Sequence, residues 1–231
     1  MGSVAPPTVP QDRLESGGWT KQSEVTDETV FEDTVGPVEV EAVASSVAYE
    51  DTALAASVRE DTLGAIDATL ALFTASRIDM APAVDELGPV RDQVTGQIET
   101  SAREQLEAQL QAAGLTDVTQ STTGTLDVAG GAEARLTEYT ATYPVEPIEF
   151  PVQSGTSLTI DGADLNIAAV LAVWAADGNY LVAGGAYPAE NFAQSTSQEL
   201  SDAISVSVDV DLGLTPDAYR EELLGLVTAV E

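Results

Sequence analysis

The side chains here that could do chemistry are almost all carboxylates. The 231-residue chain has 39 Asp and Glu, 8 Lys and Arg, no His and no Cys. Without histidine it lacks the commonest general base and the commonest transition-metal ligand. Without cysteine it has no thiolate nucleophile, no thiolate metal site and no disulfide. A serine nucleophile finds no support, because no G-x-S-x-G occurs and a Ser-His-Asp triad needs histidine. Ser–Lys chemistry would rest on Lys21, the sole lysine, on what reads as an exposed strand. Paired carboxylates remain, since a glycosidase works with two at a set separation in a cleft. With 39 acids, pairs in space are unavoidable, and the aromatics that line sugar clefts make up only 5% of the chain.

Two short acidic runs carry oxygen ligands at close spacing, Asp161-Gly-Ala-Asp164 and Asp209-Val-Asp211. Neither matches the twelve-residue calcium loop. Asp161-Gly162 reads as a turn, and Asp209 and Asp211 fall on the wet face of a strand. The expectation is a solvated acidic face with loosely held monovalent cations. Gly184-Gly185 lacks the spacing of a dinucleotide fingerprint and reads as a bulge or a close packing contact. Trp19, Trp174, Tyr139, Tyr143, Tyr180 and Tyr187 could line a ligand groove, with core or sheet-edge packing the commoner outcome. No catalytic, cofactor-binding or metal residue is assigned, and no cofactor is implied.

The net charge, 8 − 39 = −31, excludes most polyanionic partners. Phosphate contacts need clustered Lys or Arg. The seven arginines are spread along the chain from Arg13 to Arg220. Nucleic acid and anionic membrane surfaces are therefore excluded as partners, and no apolar run of 18 residues exists to span a bilayer. A charge of −31 repels itself in dilute buffer. Screening shortens from about 10 Å at 0.1 M to about 3 Å at 1 M salt, so brine removes most of that penalty. The chain is nonetheless built to fold, with 44% hydrophobic residues and acids scattered rather than blocked into a tail. Acid-rich, nearly lysine-free and cysteine-free, the composition points to an extreme halophile.

The elements that must position these residues follow from periodicity. Trp19 to Phe31 and Val38 to Tyr49 read as strands, the second alternating apolar and polar residues, with turn residues at Asp33 to Pro37. A short helix is possible around Thr52 to Arg59. Ala65 to Ser76 reads as a strand and Met80 to Val90 as a loop. Val94, Ile98, Ala102, Leu106 and Leu110 recur every four residues, with Glu99, Arg103, Glu104 and Glu107 off that line. This is the clearest helix, stopped by Gly114, and its narrow stripe suits a sheet. Val118 to Val128 and Glu133 to Tyr143 flank Ala129-Gly130-Gly131 as a hairpin. Pro144, Pro147 and Pro151 hold Val145 to Val152 extended, at an edge. Ser157 to Ile160 leads into Ala163 to Trp174, apolar on both faces and so a central strand. Asp177-Gly178 then turns the chain into Tyr180 to Tyr187. Pro188 to Ala203 reads as polar with a short helix, and Ile204 to Leu212 as a strand. Thr215-Pro216 opens a last helix that buries Tyr219, Leu223, Leu226, Val227 and Val230.

The expected fold is α+β: a largely antiparallel β-sheet packed with two to three α-helices, some eight to nine strands, in a single domain. Residues 1–18 read as a leader and a Pro-rich extended tether, and residues 19–231 as the domain. The tether suggests a precursor whose signal peptide ended at a lipid-modified cysteine; the alternative is the cytoplasm of a salt-in halophile.

The strand pair AVLAVWAADGNYLVAGGAYP (169–188) and the ending VDLGLTPDAYR (210–220) resemble a group of secreted, often lipid-anchored haloarchaeal proteins of unknown function. That resemblance implies an extracytoplasmic address and no catalytic residue, and a PsbP-like sheet is an architectural analogue only. The expected function is a non-enzymatic, halophilic cell-surface or envelope domain that binds an unknown protein or small ligand. Alternatives are a carboxylate-dependent hydrolase acting outside the cell and a structural envelope component.

If the acidic coat is an adaptation to brine, the unfolding temperature rises steeply between about 0.1 and 2 M KCl. Thermal unfolding followed by circular dichroism across that range checks it, and a flat profile would exclude the adaptation.

Overall fold

The computed structural model describes residues 3–35, 38–152, 156–201 and 204–231. In chain order, a short helix α1 (Gln11–Ser16) leads into β1 (Trp19–Val35) and β2 (Val38–Asp51). Helix α2 (Thr52–Asp61), β3 (Leu72–Ala81) and the long α3 (Arg91–Ala112) follow. Next come β4 (Thr116–Asp127), β5 (Glu133–Val145), β6 (Ile148–Val152) and β7 (Thr156–Ile160). Strands β8 (Ala163–Ala176), β9 (Asn179–Pro188), β10 (Ala193–Ser201) and β11 (Ile204–Asp211) precede α4 (Pro216–Val227). Seven strands form one antiparallel sheet in the order β1-β2-β3-β9-β8-β5-β4, while β10-β11 and β6-β7 form two small hairpin sheets. The domain is thus α+β around a large antiparallel sheet, with eleven strands and four helices among the described residues rather than the smaller numbers expected.

Helix α3 covers one face of the sheet. Val94, Ile98, Ala102, Leu106 and Leu110 are its buried residues, four apart as on one side of a 3.6-residue helix. Gly114 follows the helix at φ +87°, where a side chain would be strained. Helix α4 covers the opposite face by packing on β9. A Cβ at Gly185 would sit 2.8 Å from Leu223 Cδ1 and 2.1 Å from the Leu72 carbonyl oxygen. The glycine therefore serves close packing, and the β8–β9 ladder runs through it without a bulge. Asp177 and Gly178 take φ 50° and 82°, the pair of positive values that a two-residue hairpin turn requires. Ala176 and Asn179 close the ladder on either side.

Four expectations change. The strand read at Ala65–Ser76 begins at Leu72 and runs to Ala81, into the stretch read as a loop. Ile66 and Leu70 are buried ahead of it in irregular backbone. Its alternation is blurred because both of its faces are covered, so apolar residues mark neither side alone. The region read as a short helix, Pro188 to Ala203, holds β10, which pairs with β11; its Ser, Thr and Gln residues suit an exposed hairpin. Val145 to Val152 ends not at the edge of the main sheet but in β6, paired with β7. Thr215 stands at the N-cap of α4 as expected, but its side chain makes no cap bond there. The turn at Gly36-Pro37 lies outside the described residues.

The stretch read as a tether is packed against the domain. Val4, Val9 and Leu14 are buried. The Val4 N–H donates to Asp27 Oδ1 at 2.6 Å, and Ser45 Oγ donates to the Val4 carbonyl at 2.8 Å. Thr8 and Glu231 exchange two backbone bonds, at 2.6 and 3.0 Å. The prolines keep this segment extended, yet the valines between them carry enough apolar surface to seat it.

Because the α3 stripe is core, Leu106→Ala or Leu110→Ala should each cost about 2–5 kcal/mol. Urea unfolding in high salt measures this; losses below about 0.5 kcal/mol at both positions would show that the stripe is not core.

Candidate functional site

Seating α3 by one apolar line leaves it two wet flanks. Strand β5 alternates Arg135, Thr137 and Tyr139 toward α3, opposite Thr125, Thr123 and Gln120 of β4. On its other side β5 aligns these residues with Val173, Leu171 and Ala169 of β8. The helix residues off the stripe on this flank are Glu99, Arg103 and Glu107, each one position beyond Ile98, Ala102 and Leu106. Between helix flank and strands lies a cavity of about 420 Å³, within the range of small-molecule sites. Thr123, Thr125 and Thr137 supply its hydroxyls, Leu171 and Val173 its apolar floor, and Arg103 and Arg135 its cations.

One acid joins the two arginines. Arg135 Nη1 lies 2.9 Å from Glu99 Oε1. Arg103 Nε donates to the Glu99 carbonyl at 3.3 Å, and its Nη2 donates to Thr100 Oγ1 at 3.3 Å. A neighbouring recess of about 330 Å³ shares Glu99, Arg135 and Val173 and adds Arg91 together with the acids Asp92 and Glu133. Three of the seven arginines thus line one side of α3. Beside them Tyr139 is 1% exposed, and its hydroxyl has no hydrogen-bond partner among the described residues. Burial, with the Glu107 carboxylate nearby, pushes that phenol up to about 12, so it stays protonated at any working pH.

The opposite flank differs in kind. Gln97, Ser101 and Gln105 face Ser46, Ser76 and Val182 across a narrow groove of about 40 Å³. It continues past Gln109 into a recess of about 100 Å³. Both are smaller than the cavity on the arginine flank.

The residues singled out from sequence are not gathered into one site. Lys21 is exposed and paired with Glu24. Asp161, Asp164 and Asp209 are exposed. Asp211 accepts from Asn191 Nδ2 at 2.7 Å and from the Gly213 N–H at 3.0 Å, which holds its carboxyl below the usual range. Among the described residues no group of three or more His, Cys, Asp or Glu could hold a metal ion, and no helix is long and apolar enough to cross a membrane. The aromatic set divides between the two faces. Tyr139 and Tyr180 face α3, the latter touching Thr95. Trp19 packs edge-on against Phe73, and Tyr187 meets Arg220 of α4. Sequence reasoning missed Arg103 and Arg135 as partners, because 32 positions separate them. The available signal was the Thr123/Thr125 and Arg135/Thr137 alternation beside a helix whose Glu99 and Arg103 stand off its apolar line.

Among the described residues, Asp51 and Glu222 are two partly or wholly buried acids that act on each other. Burial raises both carboxyls, and Asp51 raises Glu222 further. Each already has a structural task. Asp51 Oδ1 accepts from the Leu54 N–H at 2.8 Å as the N-cap of α2, and Glu222 Oε1 accepts from Trp19 Nε1 at 2.6 Å. Neither lines the cavity beside α3.

The family model that matches this chain spans residues 6–231. The chain belongs to the DUF6517 family, a domain of unknown function. No curated protein and no solved structure matches it. The match thus begins upstream of β1 and includes the buried Val9 and Leu14 of the N-terminal segment.

Raised carboxyls bind protons more readily in the folded than in the unfolded chain. Their contribution to stability therefore grows as pH falls from neutral through the raised folded values toward about 4, the unfolded value. Asp51→Asn keeps the cap and removes the buried charge, so its stability at pH 7 should match or exceed that of the native chain. Asp51→Ala should cost about 0.5–2 kcal/mol. Urea unfolding at pH 7 and pH 5 in high salt tests this; equal losses for Asn and Ala would show that the charge itself is needed.

Proposed function

We propose that this DUF6517 domain is a non-enzymatic ligand-binding module of a halophile's cell envelope, with its binding site in the groove between α3 and strands β4, β5 and β8. The observation that carries this reading is the 420 Å³ cavity. It is concave, has an apolar floor, and concentrates two of the seven arginines of a chain whose surface is otherwise acidic. An apolar floor with polar groups converging above it is a common arrangement in small-molecule sites.

The halophilic part of the reading is supported by the net charge of −31, which molar salt screens. The envelope address is supported by the resemblance carried by residues 169–188 and 210–220, with the cytoplasm of a salt-in halophile as the alternative. A hydrolase would need two free carboxylates in a cleft. Asp51 and Glu222, two acids that act on each other, are tied to a helix cap and to Trp19.

The test is an amide chemical-shift screen of the labelled chain in about 2 M KCl, using a mixed panel of small neutral, cationic and anionic solutes. Shifts should cluster at 99–103, 123–125 and 135–137. Thr137→Trp, which fills the groove, should abolish them while leaving the unfolding transition in place. Shifts that map elsewhere, or that survive the filling, would overturn this site.

A further inference from the structure

We propose that the ligand of this groove is a small organic carboxylate, its head between Arg103 and Arg135 and its hydrocarbon tail over Leu171 and Val173. The inference rests on the binding reading above and names the ligand class for it.

Charge at the cavity runs against the rest of the molecule. Acids outnumber cations 39 to 8 over the chain, yet the charged side chains lining the cavity are Arg103, Arg135 and Glu99. Glu99 Oε1 lies 2.9 Å from Arg135 Nη1, an ion pair that offsets one positive charge although that buried oxygen makes no well-formed hydrogen bond. Among the residues that line the cavity the charge left over is that of Arg103, with Glu107 one turn further along the same flank, beside Tyr139. A guanidinium carries five N–H donors, and Arg103 directs one at the Glu99 carbonyl and one at Thr100. The others have no partner among the described residues. Nor do the hydroxyls of Thr123, Thr125 and Thr137, which line the same cavity. One excess positive charge with spare planar donors, ringed by hydroxyls, matches a carboxylate head, for which arginine provides the fitting fork.

Other anions fit less well. A dianionic phosphate would leave one charge uncompensated inside a molecule of net charge −31. Chloride would make no use of the buried floor of Leu171 and Val173, each 4% exposed. The opposing field of the whole chain is no obstacle in brine. With a screening length of about 3 Å at 1 M salt, only charges inside the groove are felt by a bound head.

The probes are hexanoate and its neutral isostere hexanamide, titrated into the labelled full chain in about 2 M KCl. Hexanoate should saturate shifts at 99–103, 123–125 and 135–137, with hexanamide about tenfold weaker or worse. Arg103→Gln should weaken hexanoate by about tenfold and leave hexanamide unchanged, since a charge-assisted bond is lost. Arg135→Gln provides a second variant should the first fail to fold. Arg220→Gln, on the opposite face and paired with Glu138 at 2.9 Å, should leave both titrations unaltered. Equal affinity for the two probes, or indifference to Arg103→Gln, would overturn the carboxylate while the binding groove stood. Absence of any shift from either probe, with none from the wider panel, would remove both.

Discussion

The arrangement of this domain depends on how helix α3 is seated. Five residues, Val94, Ile98, Ala102, Leu106 and Leu110, hold 22 residues of helix on the sheet. An apolar line that narrow, rather than the broader stripe of most surface helices, is enough because β8 and β9 beneath it are apolar on both faces. It also leaves the helix unable to close down over the outer strands. Space therefore remains on each flank, and the residues on either side of the line decide what that space is. One flank carries Glu99 and Arg103, the other Gln97, Ser101 and Gln105. The two grooves are consequences of one packing choice.

Charge sets the second constraint. Among the described residues Asp51 is the one buried acid, and Ser45 and Thr62 are the other buried polar side chains outside the aromatics. The other acids are exposed or only partly buried, although Asp79 and Glu99 each bury one carboxylate oxygen. Ser45 is fully buried, accepts from the Asp27 N–H and donates to the Val4 carbonyl, and so joins the N-terminal segment to the sheet without a charge. Asp27 completes the junction at φ 56°, its carboxylate taking the Val4 N–H. An acid used at the surface, where its charge stays solvated, is the form in which this composition can contribute to folding.

Much of the architecture was legible in local pattern. The α3 stripe, the Asp177-Gly178 turn and the Pro216 start of α4 each follow from short-range rules with few competitors. Failures fell where two signals overlap. β3 hides because Phe73 and Ala75 face one layer while Ile78 and Met80 face the other, so no single alternation survives. β10 hides because Ser, Thr and Gln are common to loops, helix ends and exposed strands. The N-terminal segment hides because proline spacing reads the same in a free tether and in a strip laid on a protein; the buried Val4 and Val9 decide it, and only tertiary contacts reveal them. The groove was the least legible feature. Arg103 lies on a helix and Arg135 on a strand separated from it by β4, and nothing local to either announces the other. What the sequence did show was their scarcity, and scarcity is why their meeting carries weight.

A site in a shell this acidic has to solve a problem that ordinary proteins avoid. An anion must approach through a field of its own sign, while a cation would be captured anywhere on the surface and so could not be selected. Selectivity is available only to a ligand whose recognition works at contact range. The groove beside α3 offers contact-range chemistry: two arginines, one acid, three hydroxyls and an apolar floor. Molar salt would offset the self-repulsion of a net charge of −31, and it would also strip long-range attraction from every competing surface carboxylate. The condition that screens the chain's own repulsion is thus also the condition under which short-range contacts, rather than net charge, would decide what binds.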